Sequence, residues 1–198
     1  MNRVLTIVIG ALIMLAMATL VLVALPYHQL KDESPPEQLK PYTIAQLRGR
    51  AIYVSMGCVY CHSQQPRPPG IGPDGLRGWG RAPVPADYVY DYPHLLGVSR
   101  TGPDLFNIGA RQPSGDWHLA HLYQPRSVSS GSVMPAYPFL FRVVAHPASG
   151  DKVVTLPPEF APKGGEVVAT QEALDLVAYL TSLNHTYPAP TDDSGAMP

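Results

Sequence analysis

The N-terminus of the chain contains an uninterrupted apolar segment, Val4–Leu25, in which 22 consecutive residues carry no charge. At about 1.5 Å per residue a helix of this length reaches about 33 Å, enough to cross the hydrocarbon core of a bilayer. A cleaved signal peptide is the alternative, because Ala16-Met17-Ala18 resembles a cleavage site, but its apolar region is usually only about 7–15 residues long. The sequence therefore predicts an uncleaved single-pass anchor over residues 1–26, ended by Pro26.

The charge next to this segment indicates its orientation. Arg3 precedes the apolar run, and positive charges flanking a membrane helix favour the cytoplasmic side. We therefore expect the N-terminus inside and the rest of the chain on the outer side of the membrane.

The composition of the whole chain limits the classes of protein to which the part after the anchor can belong. Pro and Gly, at 23 and 17 of 198 residues, make up about a fifth of the chain, which excludes a coiled coil or a helical bundle. A content of 45% hydrophobic residues argues against a disordered chain. The net charge of −1 and the absence of Lys/Arg runs argue against a nucleic-acid partner.

Local patterns predict a mainly α domain over residues 43–184, between a linker at 27–42 and a flexible tail at 185–198. Helices are expected at 43–56, where Thr43 is the N-cap and Gly57 the stop, at 116–123, and after a cap at Thr170. Residues 63–100 are rich in Pro and Gly and are predicted to form a long ordered loop. The segments 141–145 and 152–156 flank a turn and predict a small β-hairpin.

Both cysteines of the chain lie in one pentapeptide, Cys58-Val59-Tyr60-Cys61-His62. C-x-x-C-H is the attachment motif of haem c: two thiols on one turn form thioethers with the porphyrin, and the adjacent histidine ligates the iron. A thioredoxin-like site requires a βαβ frame that the pattern lacks. A structural zinc site requires a second pair of ligands at matching spacing. The motif therefore predicts one covalently bound haem c, attached through Cys58 and Cys61, with His62 as an iron ligand.

The sixth iron ligand is expected to be a methionine or a second histidine. Met134 lies outside the anchor, the motif and the tail, and Pro135 fixes the chain just after it. Thioether ligation raises the reduction potential, as an electron carrier requires. Bis-histidine ligation remains open, with three candidates, as does a simple packing role for Met134. Those candidates are His94, His118 and His121.

The iron-bound histidine also needs an acceptor for its other ring nitrogen. A carbonyl in a Gly-Pro turn can provide it, and the sequence offers two such turns, Gly102-Pro103 and Gly72-Pro73. We favour the first, because it leads into the apolar residues Leu105, Phe106 and Ile108.

The order of these parts in residues 43–184 resembles a class I cytochrome c domain. The detailed sequence resembles one branch, the membrane-anchored mono-haem subunit (subunit II) of cbb3-type cytochrome c oxidases. The strings that carry this resemblance are Gly49–Gln64 around the motif, Tyr88–Pro93, Arg100–Leu105, Asp116–Leu122 with Pro125-Arg126, and Met134–Pro138.

The resemblance implies Met134 as the axial ligand, Pro103 as the acceptor for His62, and a haem domain on the periplasmic side of a bacterial inner membrane. It also implies an electron-transfer subunit that performs no catalysis alone. Electrons would pass from a cytochrome c donor to the low-spin haem of a catalytic haem–copper membrane subunit, where oxygen is reduced. The donor is a separate cytochrome c or a further cytochrome subunit.

Three residues are assigned to the haem edge, with ordinary packing or a surface position as the alternative for each: Arg111, Trp117 and Tyr137. Three other functions remain open at this point. They are the cytochrome c subunit of a nitric oxide reductase, a free membrane-tethered electron shuttle, and a haem sensor or peroxidase with an exchangeable sixth ligand.

Overall fold

The structure is a computed structural model that describes residues 2–189. Its apolar N-terminal segment forms one continuous helical rod, Arg3–Leu30, long and apolar enough to span a membrane. None of the residues in the rod is buried against the rest of the described chain. An exposed apolar rod is what a membrane anchor requires, because lipid is the medium that covers it.

The prediction that Pro26 ends this helix is wrong. The rod consists of α1 (Arg3–Thr19), a π-helical turn (Leu20–Ala24) and α2 (Leu25–Leu30). Proline lacks an N–H, and its ring crowds the carbonyl one turn earlier. The π turn, in which the N–H of Leu25 donates to the carbonyl of Leu20, widens the helix just before the proline and lets it continue. The predicted linker at 27–42 is helical as far as Leu30.

Two capped helices frame the domain, as predicted. Thr43 caps α3 (Ile44–Ser55), and Thr170 caps α6 (Gln171–Ser182). Each threonine hydroxyl accepts a hydrogen bond from a backbone N–H in the first turn, at 3.3 Å in α3 and 3.4 Å in α6. Gly57, with φ at 74°, turns the chain out of α3.

Helices α3 and α6 pack directly against each other and form the centre of the domain. A Cβ at Gly49 would lie 1.9 Å from the backbone oxygen of Asp175, so only glycine allows this approach. Arg48 crosses the same junction and donates to the buried Asp175 carboxylate at 2.5 and 2.9 Å. The rings of Tyr53 and Tyr179 lie 5.5 Å apart beneath it.

A small antiparallel sheet is present, as predicted, but its pairing differs from the expected hairpin. β1 (Phe141–Val144) pairs with β2 (Glu166–Ala169), with Phe141 opposite Ala169. The segment 152–156 instead contributes a single bridge, Val153 to Val168, on the other side of β2. Val167, Val168 and Ala169 are buried. Burial of this second β-branched run, not proximity along the chain, selects the partner of β1.

Two further helices, α4 (Ile108–Arg111) and α5 (Gly115–Tyr123), complete the α elements. The predicted helix at 116–123 is confirmed, and it begins one residue earlier, after a cap by Ser114. Short 3₁₀ turns occur at Cys58–Tyr60, Pro85–Tyr88, Pro125–Ser127, Pro138–Leu140 and Pro158–Phe160. The prediction of a mainly α chain with an N-terminal helix and a small sheet is therefore confirmed.

The folded domain extends beyond the boundary predicted at residue 184. His185 is buried and stacks on Phe106 with ring centroids 3.9 Å apart, and its Nδ1 lies 2.7 Å from the Phe106 carbonyl oxygen. The hydroxyl of Tyr187 donates to Asp87 at 2.9 Å. The first residues of the predicted tail are thus packed, and residues 190–198 of it lie outside the described residues.

Candidate functional site

The Cys-x-x-Cys-His pentapeptide forms one tight turn directly after α3. The N–H groups of Cys61 and His62 both donate to the carbonyl of Cys58, at 3.2 and 3.0 Å. Both cysteines are free thiols; Cys58 is half-buried and Cys61 is exposed. Burial raises the pKa of Cys58 to about 11. One turn therefore presents two reduced sulfurs and an imidazole side by side.

The imidazole of His62 is oriented by the Gly102-Pro103 turn. Its Nδ1 lies 2.7 Å from the carbonyl oxygen of Pro103, and the N–H of Gly102 donates to the Cys61 carbonyl at 2.8 Å. A donating Nδ1–H leaves the lone pair on Nε2, the form in which histidine ligates metals. Burial lowers the pKa of His62, which also favours the neutral ring. The other Gly-Pro turn does not reach His62, since Pro73 accepts instead from the N–H of Arg77.

Gly102 packs against the face of this imidazole. A Cβ built at Gly102 would lie 2.3 Å from Cε1 of His62 and 2.7 Å from Nδ1. Any side chain at this position would therefore push the ring away from the Pro103 carbonyl. Gly102 is therefore required so that the turn can approach the His62 ring closely, and not only for the backbone conformation of the turn.

The side chain of Asp104 holds the Gly102-Pro103 turn in place. The sequence alone did not identify Asp104 as a site residue. Its carboxylate is fully buried and accepts three hydrogen bonds. Oδ2 accepts from the Ser63 hydroxyl at 2.6 Å and from the Gln65 N–H at 2.7 Å, and Oδ1 accepts from the Phe106 N–H at 2.8 Å. Burial raises the pKa of Asp104, and the three donors oppose that effect. One carboxylate thus ties the chain after His62 to the chain after Pro103.

Four buried side-chain polar atoms have no hydrogen-bond partner within residues 2–189, and two of them lie near His62. These are Nε of Arg111 and Nδ1 of His121. The charge of Arg111 lowers the pKa of His62. Burial, assisted by His118 and His62, lowers the pKa of His121 to about 4. Unpaired buried donors are rare, and beside a ligand site they indicate a group that accepts from them.

The three histidines considered as alternative iron ligands, His94, His118 and His121, lie in different surroundings. Trp117 stacks on His121 with ring centroids 4.6 Å apart and an angle of 9° between the planes. His118 is buried and its Nε2 lies 2.8 Å from the Gln112 carbonyl oxygen, so it is already engaged within the fold. His94 is exposed and lies edge-on to Tyr88. Of the three histidines considered as alternative ligands, His121 is the one with a buried unpartnered nitrogen.

The segment that contains Met134 is fixed to α5. Met134 is half-buried and packs against the core, and its backbone N–H donates to the Ser132 hydroxyl oxygen at 3.2 Å. The N–H of Tyr137 donates to the Leu122 carbonyl at 2.9 Å. Burial, with smaller effects from Cys58 and Cys61, raises the pKa of Tyr137.

The residues at this site fit a haem better than a bare metal ion. Within residues 2–189 no group of three His, Cys, Asp or Glu side chains is arranged to hold a metal ion. A haem brings four nitrogen ligands of its own, so it needs two thiols for attachment, one or two axial ligands, and donors for its carboxylates. The free thiols, the oriented His62 and the unpartnered nitrogens of Arg111 and His121 meet those needs.

Comparison with known protein families agrees with this geometry. Residues 1–156 match the family model described as the cytochrome c oxidase mono-haem subunit, FixO. The chain belongs to this family. No curated protein matches the chain. The resemblance to subunit II of cbb3-type oxidases is confirmed by the FixO match, and so is the fold class, an anchor followed by a small cytochrome domain.

Membership of the FixO family carries three direct consequences. The chain is a subunit of a cytochrome c oxidase complex, its family binds one haem, and a catalytic subunit is its partner. The single apolar helix is consistent with attachment of this subunit to a membrane.

Proposed function

We propose that this FixO-family chain carries one haem c, attached through Cys58 and Cys61, and relays single electrons to the catalytic subunit of its oxidase. The observation that carries the proposal is the arrangement of His62: its Nδ1 is 2.7 Å from the Pro103 carbonyl oxygen, one turn away from two free thiols. This arrangement leaves Nε2 as the metal-binding nitrogen. The bound haem supplies reversible one-electron oxidation and reduction of its iron.

The residues of the chain have distinct roles in this proposal. Cys58 and Cys61 form the thioethers, so the haem remains bound in a small open domain. His62 is the proximal ligand, and Pro103 fixes its ring orientation and tautomer. Met134 is the distal ligand, supported by its rigid half-buried segment.

We assign the haem edge to Arg111, Trp117 and Tyr137. Arg111 is half-buried, and its buried, unpartnered Nε would donate to a haem carboxylate, which would also balance the charge of the guanidinium. Trp117 and Tyr137 cover the edge and exclude water from it. With His62 and Met134 as its two ligands from the chain, the haem iron would have no free position for oxygen, and reduction of oxygen would occur in the catalytic haem–copper subunit.

The membrane orientation follows from the anchor. Arg3 lies at the N-terminal end of the apolar rod, and Lys31, at the other end, is paired with Asp32 at 2.8 Å. Arg3 therefore favours an N-terminus on the cytoplasmic side of a bacterial inner membrane. The haem domain then lies on the periplasmic side, where it accepts electrons from a cytochrome c donor or from a further cytochrome subunit. The FixO match favours an oxidase over a nitric oxide reductase and over a free shuttle.

The proposal is tested with the intact complex, purified in mild detergent through a tag on this chain. We expect oxygen consumption with reduced cytochrome c as the electron donor, and its loss when Cys58 and Cys61 are both replaced by serine. A complex that reduces nitric oxide but not oxygen would contradict the proposed acceptor. A chain that purifies alone would support the shuttle, and carbon monoxide binding by the reduced wild-type domain would support a sensor or peroxidase.

A further inference from the structure

The loop 63–100 exposes apolar side chains to an unusual degree. Leu76, Tyr92 and Val98 are 94%, 92% and 94% exposed, and no other large apolar side chain of the described residues exceeds 74%. Even the side chains of the membrane rod are less exposed. Contiguous apolar exposure on a folded domain marks a surface that another molecule covers, and Val98 shares one groove with Ile71, which is 70% exposed.

The loop is ordered by buried ion pairs, so this exposure belongs to a fixed surface. The Asp74 carboxylate accepts from the Arg67 N–H at 2.6 Å and from the Arg100 guanidinium at 2.5 Å. Arg100 also donates to the Gln65 carbonyl at 2.5 Å, which joins the two ends of the loop. The guanidinium groups of Arg77 and Arg100 lie 5.0 and 5.8 Å from the ring centre of the buried Trp79.

A groove of about 420 Å³ lies between the two ends of this loop. Ile71 and Val98, both largely exposed, belong to its apolar lining. Its floor contains Gly97, where φ is +77° and a Cβ would lie 2.5 Å from the carbonyl oxygen of His62. The groove therefore rests directly on the backbone of the haem-attachment motif.

The exposed charge on the loop is positive. Its three acids, Asp74, Asp87 and Asp91, are buried and paired with Arg100, Arg81 and Arg50. Arg67 lines the groove, and Arg77 is exposed; neither has a carboxylate within ion-pair distance among residues 2–189. No Asp or Glu of that part of the chain lines the groove.

We propose that this groove is the seat of the catalytic subunit of the oxidase, which inserts an apolar side chain beside Ile71 and Val98 and places a carboxylate against Arg67. The proposal rests on the membership of this chain in an oxidase complex. A permanent subunit is favoured over a transient donor, because permanent interfaces are more apolar and aliphatic side chains this exposed are costly without a constant cover. Contact here also brings the partner next to the backbone of His62, whose carbonyl lies against Gly97.

The test compares two substitutions at one exposed position in the full-length chain. Val98→Glu places a negative charge where we expect a carboxylate, and Val98→Lys places a positive one. We measure the amount of catalytic subunit that copurifies in mild detergent per haem c. Val98→Glu should lower this ratio severalfold, and Val98→Lys should lower it less. Since Val98 is 94% exposed, neither change alters the core, and an unchanged haem spectrum confirms that the domain is folded.

Two further variants complete the test. Arg67→Glu should also lower the ratio, whereas Val143→Glu, at an exposed valine on β1, is the matched control and should leave it unchanged. A wild-type ratio in Val98→Glu with normal haem overturns the proposal, and so does equal loss in the two Val98 variants. Normal assembly with slower reduction by the donor would assign the groove to the donor and overturn it likewise.

A second copy of the chain is excluded by co-expression of two differently tagged copies. If each tag recovers the other copy and Val98→Glu abolishes this, the occupant is a second copy and the proposal is wrong. Absence of haem in the wild-type chain would instead contradict the proposed function, so the two failures are distinguishable.

Discussion

The Nδ1 nitrogen of His62 lies 2.7 Å from the carbonyl oxygen of Pro103, although 41 residues separate them in the sequence. The contact is supported by the buried carboxylate of Asp104, which accepts hydrogen bonds from the chain after His62 and from the chain after Pro103. Removing one of the hydrogen bonds to Asp104 should therefore disturb the His62 ring.

Asp104→Asn should destabilise the domain and disturb the haem. The amide keeps one acceptor oxygen, but its NH₂ group faces the part-buried N–H of Gln65, which loses its acceptor. A loss of about 1–3 kcal/mol in the free energy of unfolding is expected, with a shifted reduction potential. The control is Asp116→Asn, because Asp116 is exposed and its pair with Lys152 contributes under about 1 kcal/mol. Equal stability and potential in the two variants would refute the role of Asp104.

Gly102→Ala should displace the His62 ring. The new methyl group would overlap the imidazole, with 2.3 Å between Cβ and Cε1, and the ring can yield only by leaving the Pro103 carbonyl. We expect a severalfold lower haem content per polypeptide, measured from the reduced absorbance spectrum. Gly164→Ala is the control, since no atom lies within 4 Å of a Cβ at that position. Wild-type haem content in Gly102→Ala would show that the ring does not depend on this contact.

Met134→Ala should open the distal side of the iron. The long-wavelength thioether–iron charge-transfer band should disappear and the reduction potential should fall, since thioether ligation favours the ferrous state. Met56→Ala is a matched control, because Met56 is also a half-buried methionine that packs against the core. If the band survives in Met134→Ala, another thioether is the ligand, and loss of the band in Met56→Ala would identify it. If the wild-type chain shows no such band, His121, with its unpartnered Nδ1, becomes the first residue to replace.

The stability of the domain should fall as the pH is lowered from 7.5 to 5.5, in part through His185. Burial lowers the pKa of His185 below its ordinary value of 6.5, against opposing effects of the Phe106 carbonyl and Asp87. The unfolded chain therefore binds a proton at this residue at a higher pH than the folded one, and stability is lost as the pH falls below 6.5.

His185→Gln provides the test of that pH dependence. Glutamine retains a donor for the Phe106 carbonyl but does not titrate. The melting temperature of the variant should therefore depend less steeply on pH between 7.5 and 5.5 than that of the wild-type chain. Parallel melting curves across this range would show that His185 does not contribute.

The sequence predicts those elements whose signals are local. Thr43, Thr170 and Gly57 mark helix ends through their own hydrogen bonds or backbone angle, and the structure confirms all three. The pairing of β1 depended on burial of Val167 and Val168 by segments far apart in the chain. The continuation past Pro26 depended on a π turn, for which the residues give no distinct pattern.

The residues of the candidate site also differ in whether their signal is local in the sequence. The motif at 58–62 contains its chemistry within five residues, so the sequence alone points to it. Asp104 was visible only as part of a Gly-Pro-Asp turn, and its role depends on donors from Ser63 and Gln65, some 40 residues earlier. The unpartnered nitrogen of His121 depends on burial and could not be read from composition or spacing.

The central claim is that one haem is covalently bound through Cys58 and Cys61, and acid–acetone extraction of the purified chain tests it most directly. The account predicts that the pigment remains with the polypeptide, and that Cys58→Ser together with Cys61→Ser releases it. Complete extraction of the pigment from the wild-type chain, or a colourless chain, would contradict the account.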